Sequence, residues 1–166
     1  MRTKIALLLL LAVVLSQYSV GARRVSECEA ARALALNGVP RTFISTFLCI
    51  MKSESNFETT AKGGPGPSYG YGILQIRSDH YCNAFRPPPV GCKRKCSDFT
   101  NDNISDDIHC ARKIFEEQGF KYWRKFHTHC KGKPLMPPKN CHYRMAYDME
   151  ELEALQAGNS TEIESM

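Results

Sequence analysis

Three sets of residues have the types and spacing to do chemistry. The first is eight cysteines: Cys28, Cys49, Cys82, Cys92, Cys96, Cys110, Cys130 and Cys141. An even set in a small secreted chain reads as four disulfides, with the pairing left open. A zinc site would instead use Cys92 and Cys96 with His127, His129 or His142, but oxidation is the commoner fate of thiols outside the cell. The second set is the run "DFTNDNISDDIHC", Asp98 to Cys110, rich in the hard oxygen donors that Ca²⁺ takes. Its Asp106 and Asp107 would equally complement the dipole at the start of a helix. The third is Glu54 in "KSESNF"; a glutamate at a helix end is ordinarily a solvated surface acid. No charged side chain occurs in "SYGYGILQI", Ser68 to Ile76.

The elements that must position these residues are legible in outline. Ser26 and Glu29 have capping-box spacing before strong helix formers, and Asn37-Gly38 stops that helix. Pro40 opens a second helical segment with apolar Phe43, Ile44, Phe47, Leu48 and Met51, ending close to Glu54. The Gly and Pro content from Thr59 to Pro67 argues against a regular element there. Tyr69, Tyr71, Ile73 and Ile76 suit strands in a small sheet over residues 69–77, and the loop containing "RPPPVG" and "CKRKC" follows. A third helix runs from Ser105 to a stop at Gly119, and "FKYWRKFHTHC" has the length for one short helix more.

Charge and hydropathy bound the setting. Residues 1–22 carry Arg2 and Lys4, then "IALLLLLAVVL" and the small-residue site "VGA", the pattern of a secretory signal peptide. No other apolar run is long enough to span a bilayer, so no membrane anchor is expected. Residues 23–145 hold 20 basic against 11 acidic residues, a net of +9, and residues 146–166 hold six acids and no bases. A basic body suggests anionic partners, and the secreted context disfavours nucleic acid. The division is therefore signal peptide 1–22, one domain 23–145, and an acidic tail 146–166. Asn103 and Asn159 each begin a glycosylation sequon.

The body resembles the c-type lysozyme family over nearly all of residues 24–143. The resemblance is carried by "CEAARALALNGV", "KSESNF", "YGILQI", "CARKI", "YW" before "HTHCKG", and the eight cysteines in order. It implies an α+β fold, a mostly helical lobe facing a small antiparallel β-sheet across a sugar-binding cleft. It also implies the pairing Cys28–Cys141, Cys49–Cys130, Cys82–Cys96 and Cys92–Cys110. In the family, the glutamate matched by Glu54 is the general acid and the indole matched by Trp123 packs against it. Apolar surroundings disfavour a carboxylate and keep a proton available for the leaving sugar oxygen. Tyr81 is expected to stack on a sugar face, and Trp123, Gln75 and Arg77 to face the substrate. Gln75 and Asn56 are further expected to tie the sheet to the second helix by hydrogen bonds. By resemblance to the calcium loop of α-lactalbumins, Asp98, Asn101, Asn103, Asp106 and Asp107 form a candidate Ca²⁺ set, with Asn101 where a carboxylate is usual.

One departure matters more than the agreements. A retaining glycosidase uses a second carboxylate about 5–5.5 Å from the acid. The family places that Asp just before "YG", and here Gly70 stands there, with Glu58 and Asp79 the nearest acids, nine or more residues away. The resemblance thus implies a secreted, monomeric, lysozyme-like glycoside hydrolase acting on the β-1,4 bonds of peptidoglycan or a related amino-sugar polymer, antibacterial or digestive. No cofactor is required, and activity is weakened or altered. The alternative is a non-catalytic carbohydrate- or partner-binding protein of the same fold.

Overall fold

The computed structural model describes residues 23–64, 68–135 and 141. The expected signal peptide, His142, the acidic tail and the sequon at Asn159 lie outside them. No helix among the described residues is long and apolar enough to cross a membrane.

Helix α1, Glu27–Leu36, starts where Ser26 takes the N-cap and its side chain accepts from the Glu29 amide. It buries Ala30, Ala31, Leu34 and Ala35. Helix α2, Arg41–Ser55, follows Pro40 and buries Ile44, Phe47, Leu48, Ile50 and Met51 on one face. It ends at Asn56 in the left-handed region (φ 53°), where the Asn56 amide returns to the Lys52 carbonyl and the Phe57 amide to the Met51 carbonyl. Helix α3, Ser105–Gln118, buries Ile108, Ala111 and Ile114, and Gly119 ends it with φ 65°.

Between the second and third helices lies a sheet of two-residue strands, β1 (Lys62–Gly63), β2 (Gly70–Tyr71) and β3 (Ile76–Arg77), antiparallel in that order. Gly70 pairs with Gly63 on one side and Arg77 on the other. β1 corrects the expectation of no regular element between Thr59 and Pro67. Pairing there needs only backbone groups, so low strand propensity did not forbid it.

The "CKRKC" loop also carries structure: β5 (Arg94–Lys95) pairs in parallel with β4 (Cys82–Asn83), and a 3₁₀ turn covers Cys96–Phe99. The single short helix expected over "FKYWRKFHTHC" is instead a 3₁₀ turn, Gly119–Tyr122, and a π turn, Phe126–Cys130.

One core joins the layers. Phe47, Met51, Ile73, Leu74, Ile76, Ile108, Ile114 and Trp123 are each almost wholly buried. Edge-to-face contacts of Phe47 with Phe120 and Trp123, at 5.3 and 5.6 Å between centroids, fasten α2 to the segment after α3. Four disulfides fasten these pieces: Cys28–Cys141 anchors α1, Cys49–Cys130 joins α2 to the π turn, Cys82–Cys96 joins β4 to the 3₁₀ turn, and Cys92–Cys110 joins the turn before β5 to α3.

Candidate active-site cleft

The end of α2, the sheet and the segment after α3 enclose a cleft of about 820 Å³. Glu54 enters it from the last turn of α2, half-buried. Its Oε1 accepts from the Lys125 backbone N–H at 3.1 Å, while Lys125 Nζ donates to the Ser53 carbonyl at 2.7 Å. These two bonds tie the end of α2 to the opposite wall and fix the carboxyl group's direction. Trp123 lines the same cleft, only 2% exposed, with Nε1 donating to the Leu74 carbonyl at 2.8 Å. The indole is therefore a fixed apolar wall shared by cleft and core.

Among the described residues lining the cleft, Glu54 is the sole acid. Glu58 instead pairs through its backbone with Arg24 and accepts from the Thr60 hydroxyl, away from the lining. Asp79 lies outside the cleft beside Arg77 (3.7 Å) and His80 (3.3 Å). Burial pushes its carboxyl up, but the Ser68 hydroxyl, His80 and Arg77 outweigh that and hold it below the ordinary value. Neither acid stands in for the missing partner at Gly70.

Gly70 is buried in β2 and faces the side chain of Gln75. A Cβ added to Gly70 would lie 2.7 Å from Gln75 Oε1 and 2.9 Å from Gln75 Cβ. Gln75 does not tie the sheet to α2: its Nε2 donates to the Ala61 and Gly72 carbonyls at 3.1 and 2.9 Å, within the sheet region. Asn56 contributes a backbone cap rather than a bridging amide. The tie is made by Ser55, whose hydroxyl donates to the Ile73 carbonyl at 2.7 Å, a contact no motif singled out.

The remaining expected substrate residues separate. Arg77 lines the cleft, its guanidinium 4.8 Å from the Tyr122 ring centroid and its backbone N–H on the Tyr122 hydroxyl at 2.7 Å. Burial pushes the Tyr122 hydroxyl up to about 12, so it stays protonated at neutral pH. Tyr81 is not a sugar platform. It is 3% exposed, with its hydroxyl on Glu117 (2.9 Å) and Gln118 (2.6 Å), and its ring edge-to-face on Tyr122. The core claimed this ring because Tyr122 and α3 offer both its apolar body and its hydroxyl a partner. Lys52, Lys62, Arg124 and Lys125, not anticipated as lining, make the cleft strongly cationic together with Arg77. Their positions in the chain carry no periodic signal; only the fold gathers them.

The acidic loop presents a mixed donor set. Asp106 Oδ1 and both carboxylate oxygens of Asp107 are buried without a hydrogen-bond partner. Burial, then the charge of Asp106, pushes Asp107 well above the usual carboxylate range. The rest of the loop is closed on itself. Asn101 Nδ2 donates to the Asp98 carbonyl, the Asn103 amide to Asn101 Oδ1, the Ser105 amide to Asn103 Oδ1, and the Lys95 amide to Asp98 Oδ2. Among the described residues no group of three or more His, Cys, Asp or Glu is gathered as for a metal ion.

Comparisons with known proteins agree on one relationship. A model of the C-type lysozyme/alpha-lactalbumin family matches residues 23–141. Lysozyme c-1 of Anopheles gambiae is 35% identical over 133 residues, covering 80% of this chain and 94% of that protein. Lysozyme C-3 of Sus scrofa is 37% identical over 136 residues, covering 77% and 92%. The crystal structure of canine milk lysozyme stabilised against non-enzymatic deamidation superposes with a TM-score of 0.62 at 36% identity, covering 68% of this chain and 93% of that one.

Proposed function

Because the chain belongs to the C-type lysozyme/alpha-lactalbumin family, we propose that it is a secreted hydrolase of β-1,4-linked amino-sugar polymers such as peptidoglycan, with Glu54 as proton donor and Trp123 as its apolar wall. The observation that carries the reading is the placement of Glu54: the one carboxyl group among the described lining residues, directed by the Lys125 amide into a cleft large enough for sugar rings. Proton delivery to a leaving oxygen needs a group held in that way. Cleft cations favour an acidic wall polymer as ligand. In the same reading residues 1–22 are a cleaved leader, residues 146–166 a separate acidic tail, and the folded body acts as a monomer outside the cell.

Turbidity of a peptidoglycan suspension tests the reading. The native protein clears it slowly, and Glu54→Gln removes clearance by about 100-fold or more, the usual loss with a positioned acid. Equal clearance by both proteins refutes the assignment. Absence of clearance by the native protein supports the second reading, a cleft that binds sugar without turnover, which the lack of a second lining carboxylate among the described residues favours. A structural Ca²⁺, if the protein takes one, would use the open oxygens of Asp106 and Asp107. A melting temperature indifferent to Ca²⁺ and to chelator removes that part of the proposal.

A further inference from the structure

Gln75 closes the turn between β2 and β3 with φ 48°, and its amide has a direction imposed on it. Both N–H groups are committed, one to Ala61 and one to Gly72. The carbonyl oxygen is thereby turned toward the two glycines at the cleft wall: a Cβ on Gly70 would lie 2.7 Å from Oε1, and one on Gly63 3.6 Å. Gly63, Gly70 and Gln75 all line the cleft. Among the described residues no donor reaches Oε1, so the cleft holds an aimed, unengaged acceptor where a side chain at position 70 would begin.

An amide oxygen is too weak a base or nucleophile to replace a carboxylate at neutral pH, but it holds an N–H well. The ligand class supplies a matching one. A 2-acetamido sugar carries an N–H and, on the same group, a carbonyl oxygen able to reach its own anomeric carbon. We propose that the substrate's acetamido group takes the part of the absent carboxylate, with Gln75 Oε1 accepting its N–H. This inference rests on the hydrolytic reading.

The step balances without any further reactant. The acetamido oxygen adds to the anomeric carbon as the bond to the leaving oxygen breaks, and Glu54 gives its proton to that oxygen. The sugar becomes a bicyclic oxazolinium, whose positive charge is shared with the nitrogen and faced by the Gln75 carbonyl dipole. Water then adds to the anomeric carbon, its proton passes to the Glu54 carboxylate, and the ring opens to restore the acetamide. One water is consumed and the anomeric configuration is retained. The demand for charge compensation is real, because Lys52, Lys62, Arg77, Arg124 and Lys125 line the same cleft. A route that hands the charge to a ring facing an acceptor suits this cleft better than a bare oxocarbenium ion.

The test uses the full-length secreted protein on β-1,4-linked N-acetylglucosamine oligomers and on their de-N-acetylated counterparts. Free amines are cationic and bind this cleft more weakly in any case, so kcat at saturation is the readout, not KM. The expected result is a kcat about 100-fold or more lower without the acetyl group, with the retained β-anomer as first product by NMR. Gln75→Leu, checked for a native fold, should lower kcat on the acetylated oligomer about 10-fold or more, and by a larger factor than it lowers the rate on the free amine. If that variant does not fold, the two measurements on the native protein decide alone. Hydrolysis with inversion, or equal kcat on both oligomers, overturns this inference and leaves the hydrolytic reading standing. No cleavage of the oligomers or of peptidoglycan overturns both.

Discussion

At the scale of single residues, the site is defined as much by two glycines as by its acid. Gly72 has φ 73°, and a Cβ there would lie 1.9 Å from the Phe99 carbonyl oxygen and 2.3 Å from Asp107 Oδ1. No side chain fits, and the glycine of "YGILQI" is explained by packing as well as by conformation. Gly70 differs, since its backbone imposes no such requirement and the atoms nearest an added Cβ all belong to Gln75. Gly70→Asp should therefore fold with a loss of about 1–3 kcal/mol, the usual range for overpacking, while increasing clearance of peptidoglycan. Melting temperature and turbidity read the two effects separately. A fully stable Gly70→Asp with unchanged activity would mean that the turn at Gln75 yields at no cost and that the position has no bearing on rate. Glu54, Trp123 and the vacancy at Gly70 could be read from motif order alone. The fate of Tyr81 could not, because a tyrosine next to a cysteine carries no sign of whether ring and hydroxyl find partners inside.

At the scale of elements, capping and apolar spacing made the three helices legible, since Ser26, Pro40 and Gly119 mark boundaries that local chemistry imposes. The strands were harder, because two-residue strands have no period to detect. They exist because long-range partners meet, Lys62 with Tyr71 and Gly70 with Arg77. Just beyond β3, Asp79 is the anionic member of a cluster with Arg77 and His80. Its folded pKa lies below the ordinary aspartate value. The fold therefore gains from the ionised form at pH above that value and loses the gain as pH falls through the lower folded pKa. Asp79→Asn should flatten the decline of melting temperature on acidification below about pH 4. An acid limb identical to that of the native protein would show that the cluster contributes nothing to stability.

At the scale of the whole molecule, a basic body and a cationic cleft act together. Residues 23–145 carry a net of +9, and among the described residues five cations line the cleft beside one acid. Attraction to an acidic polymer acts over roughly a Debye length, about 8–10 Å at moderate salt. Clearance of an acidic wall polymer should therefore fall steeply between about 10 mM and 300 mM salt, whereas cleavage of a neutral chitin oligomer should change little. Parallel salt curves for the two substrates would place the electrostatic effect outside the cleft. Net charge was visible in composition, but its concentration at the cleft was not, since Lys52, Lys62, Arg77 and Arg124 come from four separate segments.

The Cys49–Cys130 bridge joins α2 to the π turn with 5.9 Å between its Cα atoms. Cys49 lies five residues before Glu54, and Cys130 five after Lys125, whose amide holds the Glu54 carboxyl. The bond therefore pins the Glu54 carboxyl in register with the amide that holds it. A reducing medium would release this pin, so the direction of the Glu54 carboxyl, and not only the durability of the fold, depends on an oxidising surrounding.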